Sequence, residues 1–207
     1  AIPVHVMVRF GMWDEILALP EPPEVEALTR AFRHYGRVVS YSAMGRIKEA
    51  SEEYDRLLRA YDQVPDSRLM GNNPGKTVLR IGLHMADGEL EYRKGNYNKA
   101  FALLRMAVQE DDSLRYDEPW GWMMPVRHSL GALLVEQGRY TEAEQVYKRD
   151  LEIHPGNGWS LKGLATCYHH TGRHAEAMKT EELFNKAWSG SDIALRTSCF
   201  CSKGEAM

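Results

Sequence analysis

The sequence predicts an all-α fold, a right-handed solenoid of about ten helices arranged as antiparallel pairs, and three observations predict it. Five glycines, Gly11, Gly45, Gly95, Gly138 and Gly172, recur at separations of 34, 50, 43 and 34 residues. Two residues after each stand Trp13, Ile47, Tyr97, Tyr140 and His174. Five residues after each stand Ile16, Ala50, Ala100, Ala143 and Ala177. Recurrence at this period is the signature of a helical repeat array. The glycine reverses the chain between two helices, where a left-handed backbone angle is cheapest without a Cβ. The small residue lets the second helix lie close to the first, and the ring fills the corner between them.

The first pair is partial. PVHVMVRF supplies a short helix and Trp13 to Leu17 begins a second, which Pro20, Pro22 and Pro23 stop. The copy around Gly45 keeps Tyr41, Ala50 and Tyr54. Residues 66–74, with Gly71, Asn72 and Asn73, read as a loop. The next copy keeps Gly88, Tyr97, Ala100 and Ala107. Residues 124–157 form the fullest copy, with Leu130-Gly131 on the first helix, Gly138-Arg139-Tyr140 at the turn, Ala143 and Tyr147 on the second, and Pro155 after it. The last copy keeps Leu164, Ala165, Tyr168, Gly172 and Ala177, with Asn157 placed to cap its first helix. The array is expected over residues 1–188, with insertions near 61–80 and 111–122, essentially no strand, and residues 189–207 as a C-terminal tail. Ala143 is expected to pack on Gly131. Arg37 and Asp87 fall where a repeat buries leucine, so each should be paired or turned to the groove, because a lone buried charge costs several kcal/mol.

Seven residues of the fullest copy resemble the tetratricopeptide consensus: Leu130, Gly131, Gly138, Tyr140, Ala143, Tyr147 and Pro155. The stretches VRFGMWDEILALPEPP, YDEPWGWMMPVRHSLGALL and GRYTEAEQVYKRDLEIHPGNGWSLKGLA, with Ala187-Trp188 and Asp192, are similar to the C-terminal half of long, mostly bacterial tetratricopeptide proteins. That resemblance implies a scaffold that holds a protein or peptide in a groove lined by the first helix of each repeat, with further His-rich repeats upstream. It supplies no activity to transfer. The chain opens in mid-repeat without an initiator Met, and so reads as a piece of a longer protein whose compartment the sequence does not name.

With 43% hydrophobic residues in 207, the chain has material for a sizeable core. A net charge of -3 gives no basic footprint for nucleic acid. No apolar run approaches the ~20 residues of a membrane span. There is no G-x-S-x-G, phosphate-binding glycine loop or H-E-x-x-H, so no catalytic residue and no cofactor is expected. Some tetratricopeptide proteins clamp a chaperone's C-terminal carboxylates with Lys, Arg and Asn on successive first helices. The matching positions here hold Tyr35, Val39, Ala86, His128, Ser129, Ala132, Trp159 and Gly163, with only Lys162 of the right charge, which excludes that clamp.

The candidate contact surface is the insertion Tyr116-Asp117-Glu118-Pro119-Trp120-Gly121-Trp122 leading into Arg127 and His128, together with Trp159 and Lys162. Tryptophans and carboxylates on a rigid loop suit a ligand-facing surface. The alternative is that Trp120 and Trp122 cover an edge between repeats while Glu118 pairs with Arg127. A different reading is metal binding. His34 and His84 occupy the same repeat position, His128 sits one place further on, and Glu89 offers a further ligand. Zinc needs its ligand atoms at ~2 Å, whereas neighbouring helix axes lie ~8–10 Å apart, so at most two rungs share one ion. The histidines alternatively fill an interhelix slot. Cys167, on the packed side of its helix, is not a ligand candidate, whereas Cys199 and Cys201 would offer a soft metal site, a redox pair or free thiols.

Overall fold

All five frame glycines adopt left-handed backbone angles, with φ between 65° and 83°. Each turn closes the same way. The glycine N–H reaches back three residues and the following N–H five, as in Gly45 to Ser42 and Arg46 to Tyr41, or Gly138 to Val135 and Arg139 to Leu134. These two bonds satisfy carbonyls that the ending helix leaves orphaned. The residue after the glycine is the N-cap of the next helix, which starts one residue later, so each reversal takes three residues. The residue five places on, Ile16 in the first copy and alanine in the others, is fully buried in every copy.

The computed structural model describes residues 2–202; residue 1 and residues 203–207, the last five of the expected tail, lie outside the described residues. The chain divides into two compact units at Val126 and Arg127. In the first, α1 (Ile2–Arg9) and α2 (Trp13–Ala18) form the partial pair, followed by α3 (Ala27–Ala43) with α4 (Ile47–Asp62) and α5 (Gly75–Arg93) with α6 (Tyr97–Asp112). In the second, α7 (Val126–Glu136) pairs with α8 (Tyr140–Ile153), and α9 (Gly158–His170) with α10 (His174–Trp188). About ten helices are expected, and ten are observed among the described residues. Between α4 and α5 the expected loop contains a short antiparallel hairpin, β1 (Leu69–Met70) and β2 (Asn73–Pro74), turned at Gly71 with φ 57°.

The core of the first unit is aromatic where the partial pair meets α3. His5 lies 4.5 Å from Trp122 and 5.2 Å from Phe32, ring centre to ring centre, with Tyr35 5.2 Å from Trp122. Neither His5 ring nitrogen has a hydrogen-bond partner, and burial pushes its pKa down to about 3, so the ring is held neutral. In the second unit the pivot is Tyr147. A Cβ on Gly131 would lie 2.5 Å from its ring, and one on Gly163 would lie 2.2 Å from it. The ring, rather than Ala143, is therefore what lies closest to Gly131. Asn157 caps α9 by accepting from the Trp159 and Ser160 N–H groups, as its position predicts.

Candidate functional site

The two insertions of the first unit are stitched to each other. Asp117 accepts a hydrogen bond from the Asn72 N–H at 2.8 Å, the Asn72 side chain donates to the Tyr116 carbonyl, and Asn73 exchanges bonds with Arg115 through both ends of its amide. This fastening turns the last tryptophan of the loop inward. Trp122 is only 2% exposed and lies against Gly82, whose missing Cβ leaves room for the indole edge. Its place is in the core rather than at a groove mouth. Trp120, two residues earlier, is half exposed. Glu118 takes the Tyr116 hydroxyl as hydrogen-bond donor. Arg127 and His128 are both buried.

The histidines do not form a ladder toward one ion. Each bonds a carboxylate from the second helix of its own pair: His34 to Glu53 at 2.6 Å, His84 to Glu110 at 3.0 Å and His128 to Asp150 at 3.0 Å. They act as clasps inside three successive helix pairs. Burial alone would raise the Glu53 carboxyl, but the hydrogen bond from His34 and the charge of Arg37 outweigh it and hold the group below the usual carboxylate range. Asp150 is likewise held low, with burial opposed by His128 and by the Ser160 hydroxyl at 2.6 Å. Glu89 is engaged by Arg93 at 2.9 Å. Cys199 and Cys201 are joined as a disulfide, so neither presents a thiolate to a metal. Among the described residues no group of three or more His, Cys, Asp or Glu side chains is placed to hold an ion.

The described part of the segment expected as a tail, residues 189–202, is without helix, yet it is fastened to the second unit. Ser198 shares a 2.7 Å hydrogen bond with the Tyr147 hydroxyl and donates to the His128 carbonyl at 2.9 Å. Ser129 donates to the Cys199 sulfur, Ser202 donates to Glu136 at 2.7 Å, and Phe200 meets Trp159 edge-on. Trp159 also meets Trp188 edge-on, and Lys162 lies 5.8 Å over the Phe184 ring. Thus Trp159 is covered by this chain's own residues, and Lys162 lies part-buried beside it.

A feature that sequence reading passed over lies in the first unit. Arg30, Arg33, His34 and Arg37 stand at i, i+3, i+4 and i+7 on α3, the spacing of a single helix face. With Arg56, Arg59 and Ala60 of α4, Gln63 and the loop residue Glu21, they line a cavity of about 320 Å³. Arg37 is the consensus-leucine position, and it is paired as its charge demands: its guanidinium reaches Glu53 at 2.8 Å, the Leu17 carbonyl and the Tyr41 hydroxyl. Asp87, the other such position, lies 3.8 Å from Lys99; burial raises its pKa and Lys99 offsets part of the rise. Arg56 takes the other oxygen of Glu53 at 2.8 Å, while Arg30 and Arg33 hold Glu21 at 3.3 and 2.5 Å.

Comparison with known proteins agrees with the repeat geometry. Residues 134–180 match the family model described as tetratricopeptide repeat. No curated protein matches the chain. Among solved structures, a putative kinesin light chain of Podosopora anserina with nearly identical tetratricopeptide-like repeats is 18% identical, with 93% of this chain and 96% of that one covered at a TM-score of 0.53. A second structure of that description is 19% identical over 90% and 85% at 0.52. MamA of AMB-1 is 18% identical over 92% and 91% at 0.50. At such identities a likeness speaks for the fold alone, and the fold is an array of antiparallel helix pairs of the tetratricopeptide type.

Proposed function

We propose that this chain is a non-catalytic scaffold that holds a protein or peptide partner on the first-helix faces of its repeats. One observation carries the reading. The second unit already holds a non-helical stretch of polypeptide, residues 198–202, against α7 and α9, its two first helices. The contacts are those by which a helical surface holds a peptide: a hydroxyl donating to a backbone carbonyl, a carboxylate accepting from a serine, and an aromatic ring against a tryptophan. The Tyr147 hydroxyl joins them from α8. A face that holds non-helical chain in this manner offers the same chemistry to a partner, with Lys162 as a further, part-buried contact; Trp120 and Glu118 are accessible contacts of the first unit in their own right. The tetratricopeptide type of fold supports the reading, since its stacked first helices form extended binding surfaces.

Selection from a random peptide display library tests it. Enriched peptides should bind the folded chain in fluorescence anisotropy and lose affinity with Lys162→Glu or Trp120→Ala. Enrichment no greater than on heat-denatured protein, or equal binding to wild type and both variants, would overturn the reading.

A further inference from the structure

The cavity between α3 and α4 is strongly cationic in a chain whose formal net charge is -3. Arg30, Arg33, Arg37, Arg56 and Arg59 bring five guanidinium charges, and the two carboxylates bonded to them, Glu21 and Glu53, leave a formal surplus of three. The two acids differ in kind. Glu53 is 1% exposed and locked between Arg37, Arg56 and His34, so it belongs to the core. Glu21 is half exposed, sits between Pro20 and Pro22 on the loop after α2, and lines the cavity with its carboxylate on Arg30 and Arg33. It occupies the Arg30 and Arg33 forks from outside, where solvent makes an ion pair weak and exchangeable. Donors remain unspent around it. Arg30 bonds through Nε and Nη1, Arg33 through Nε and Nη1, and the Arg59 guanidinium makes no hydrogen bond or ion pair among the described residues.

We propose that this cavity is a recognition site for a phosphorylated side chain of a peptide partner, with Glu21 as an internal stand-in that the phosphate displaces. The inference deepens the peptide-scaffold reading and rests on it. Guanidinium forks match oxyanions through parallel N–H donors, and arginine clusters are a recurrent means of reading phosphorylated motifs. Charge decides between phosphate and carboxylate. A glutamate from a partner would exchange one single charge for another and leave the surplus of three as it is. A phosphoryl group carries about -1.5 to -2 and three acceptor oxygens at neutral pH. It therefore replaces Glu21 on Arg30 and Arg33 while neutralising more of the field, and it has an oxygen left for Arg59 or Arg56. A volume of about 320 Å³ lies within the range of small-ligand pockets.

The experiment uses four probes on the whole chain: a labelled degenerate peptide pool around a central phosphoserine, the same pool with serine, the same pool with glutamate, and inorganic phosphate. Anisotropy should rise with the phosphoserine pool and stay flat with the serine and glutamate pools. Arg59→Glu should weaken binding about tenfold or more, the order expected for one charge-assisted contact, with an unchanged circular dichroism spectrum, since the Arg59 side chain is exposed and unbonded among the described residues. Glu21→Gln should tighten binding by removing the competitor. Equal binding of the phosphoserine and glutamate pools, no effect of Arg59→Glu, or binding of inorganic phosphate without the peptide, would each overturn the proposal. Those results leave display-selected peptides free to bind elsewhere on the helix faces, so failure here and failure of the scaffold reading are separable.

Discussion

Replacing Gly163 with alanine should be among the most damaging single-methyl additions available in the second unit. The added Cβ would lie 2.2 Å from Tyr147 Cζ and 2.6 Å from both Cε atoms. Carbon atoms settle at ~3.5–4.0 Å, so the overlap exceeds 1 Å against a rigid ring. The ring has little freedom to retreat. It is 1% exposed, its hydroxyl is tied to Ser198 at 2.7 Å, and the bare Cα of Gly131 faces it as well. Either α9 shifts or the ring leaves its rotamer. Overpacking of this kind costs ~1–3 kcal/mol, and the severity of the overlap places this substitution at ~3. At ~2–4 °C per kcal/mol for a chain of this size, Tm should fall by ~6–12 °C. Thermal unfolding followed by far-ultraviolet circular dichroism measures it. A double-mutant cycle with Tyr147→Leu isolates the cause, because alanine at 163 should cost under ~1 kcal/mol once the ring is gone. A Tm within about 2 °C of wild type, or strictly additive effects in the cycle, would refute the wedge.

Trp122→Ala should cost ~3–5 kcal/mol by opening a cavity in the first unit, whereas Trp120→Ala, half exposed, should stay within ~0.5 kcal/mol; comparing their denaturation midpoints checks both. Glu53→Gln should cost ~3 kcal/mol or more, since it leaves the part-buried Arg37 without its counter-charge and weakens the hydrogen bond to the buried His34. Because the folded pKa of Glu53 lies below its ordinary 4.5, its contribution is present above that value and is lost as pH falls through the lower, folded one. His5 works in a higher window. Its folded pKa of about 3 lies below the ordinary 6.5, so the unfolded chain binds the proton first and stability declines as pH falls from 6.5 toward 3. His5→Phe should therefore remove a slope of up to ~1.4 kcal/mol per pH unit in that window, read from urea unfolding at stepped pH; an unchanged slope would show the ring is not buried neutral.

What was legible in the sequence was what a turn demands locally. Gly45 or Gly138 must adopt a left-handed angle to close its reversal, and Ala50 or Ala143 must be small beside it, so both requirements recur at fixed spacing and both can be read. The histidines show the opposite case. His34 and His84 stand in register, which suggested a ladder, but their partners Glu53, Glu110 and Asp150 fall 8, 15 and 12 residues after the frame glycines Gly45, Gly95 and Gly138. The clasp thus moves by whole helical turns from pair to pair, so no common spacing betrays it. Trp122 was misplaced because a loop rich in proline and glycine reads as exposed, while the space that receives it is made by Gly82, a glycine with no turn to explain it.

Long-range contacts hid the remainder. Ser198 meets the His128 carbonyl across a sequence separation of 70, and no local pattern announces that a stretch without helical periodicity will fold back on α7. The arginine cavity is different, because half of it was in plain view. Arg30, Arg33, His34 and Arg37 mark one face of α3 by spacing alone, and Arg56 and Arg59 mark one face of α4. A whole-chain charge of -3 concealed them, since a sum over all residues erases any local field. The lesson is physical: at an ionic strength near 0.15 M charges are screened beyond ~8 Å, so what a partner meets in this cavity is the local surplus of three, not the average over the chain. Charge in a repeat protein is therefore best read face by face, at the helical spacing that brings side chains together.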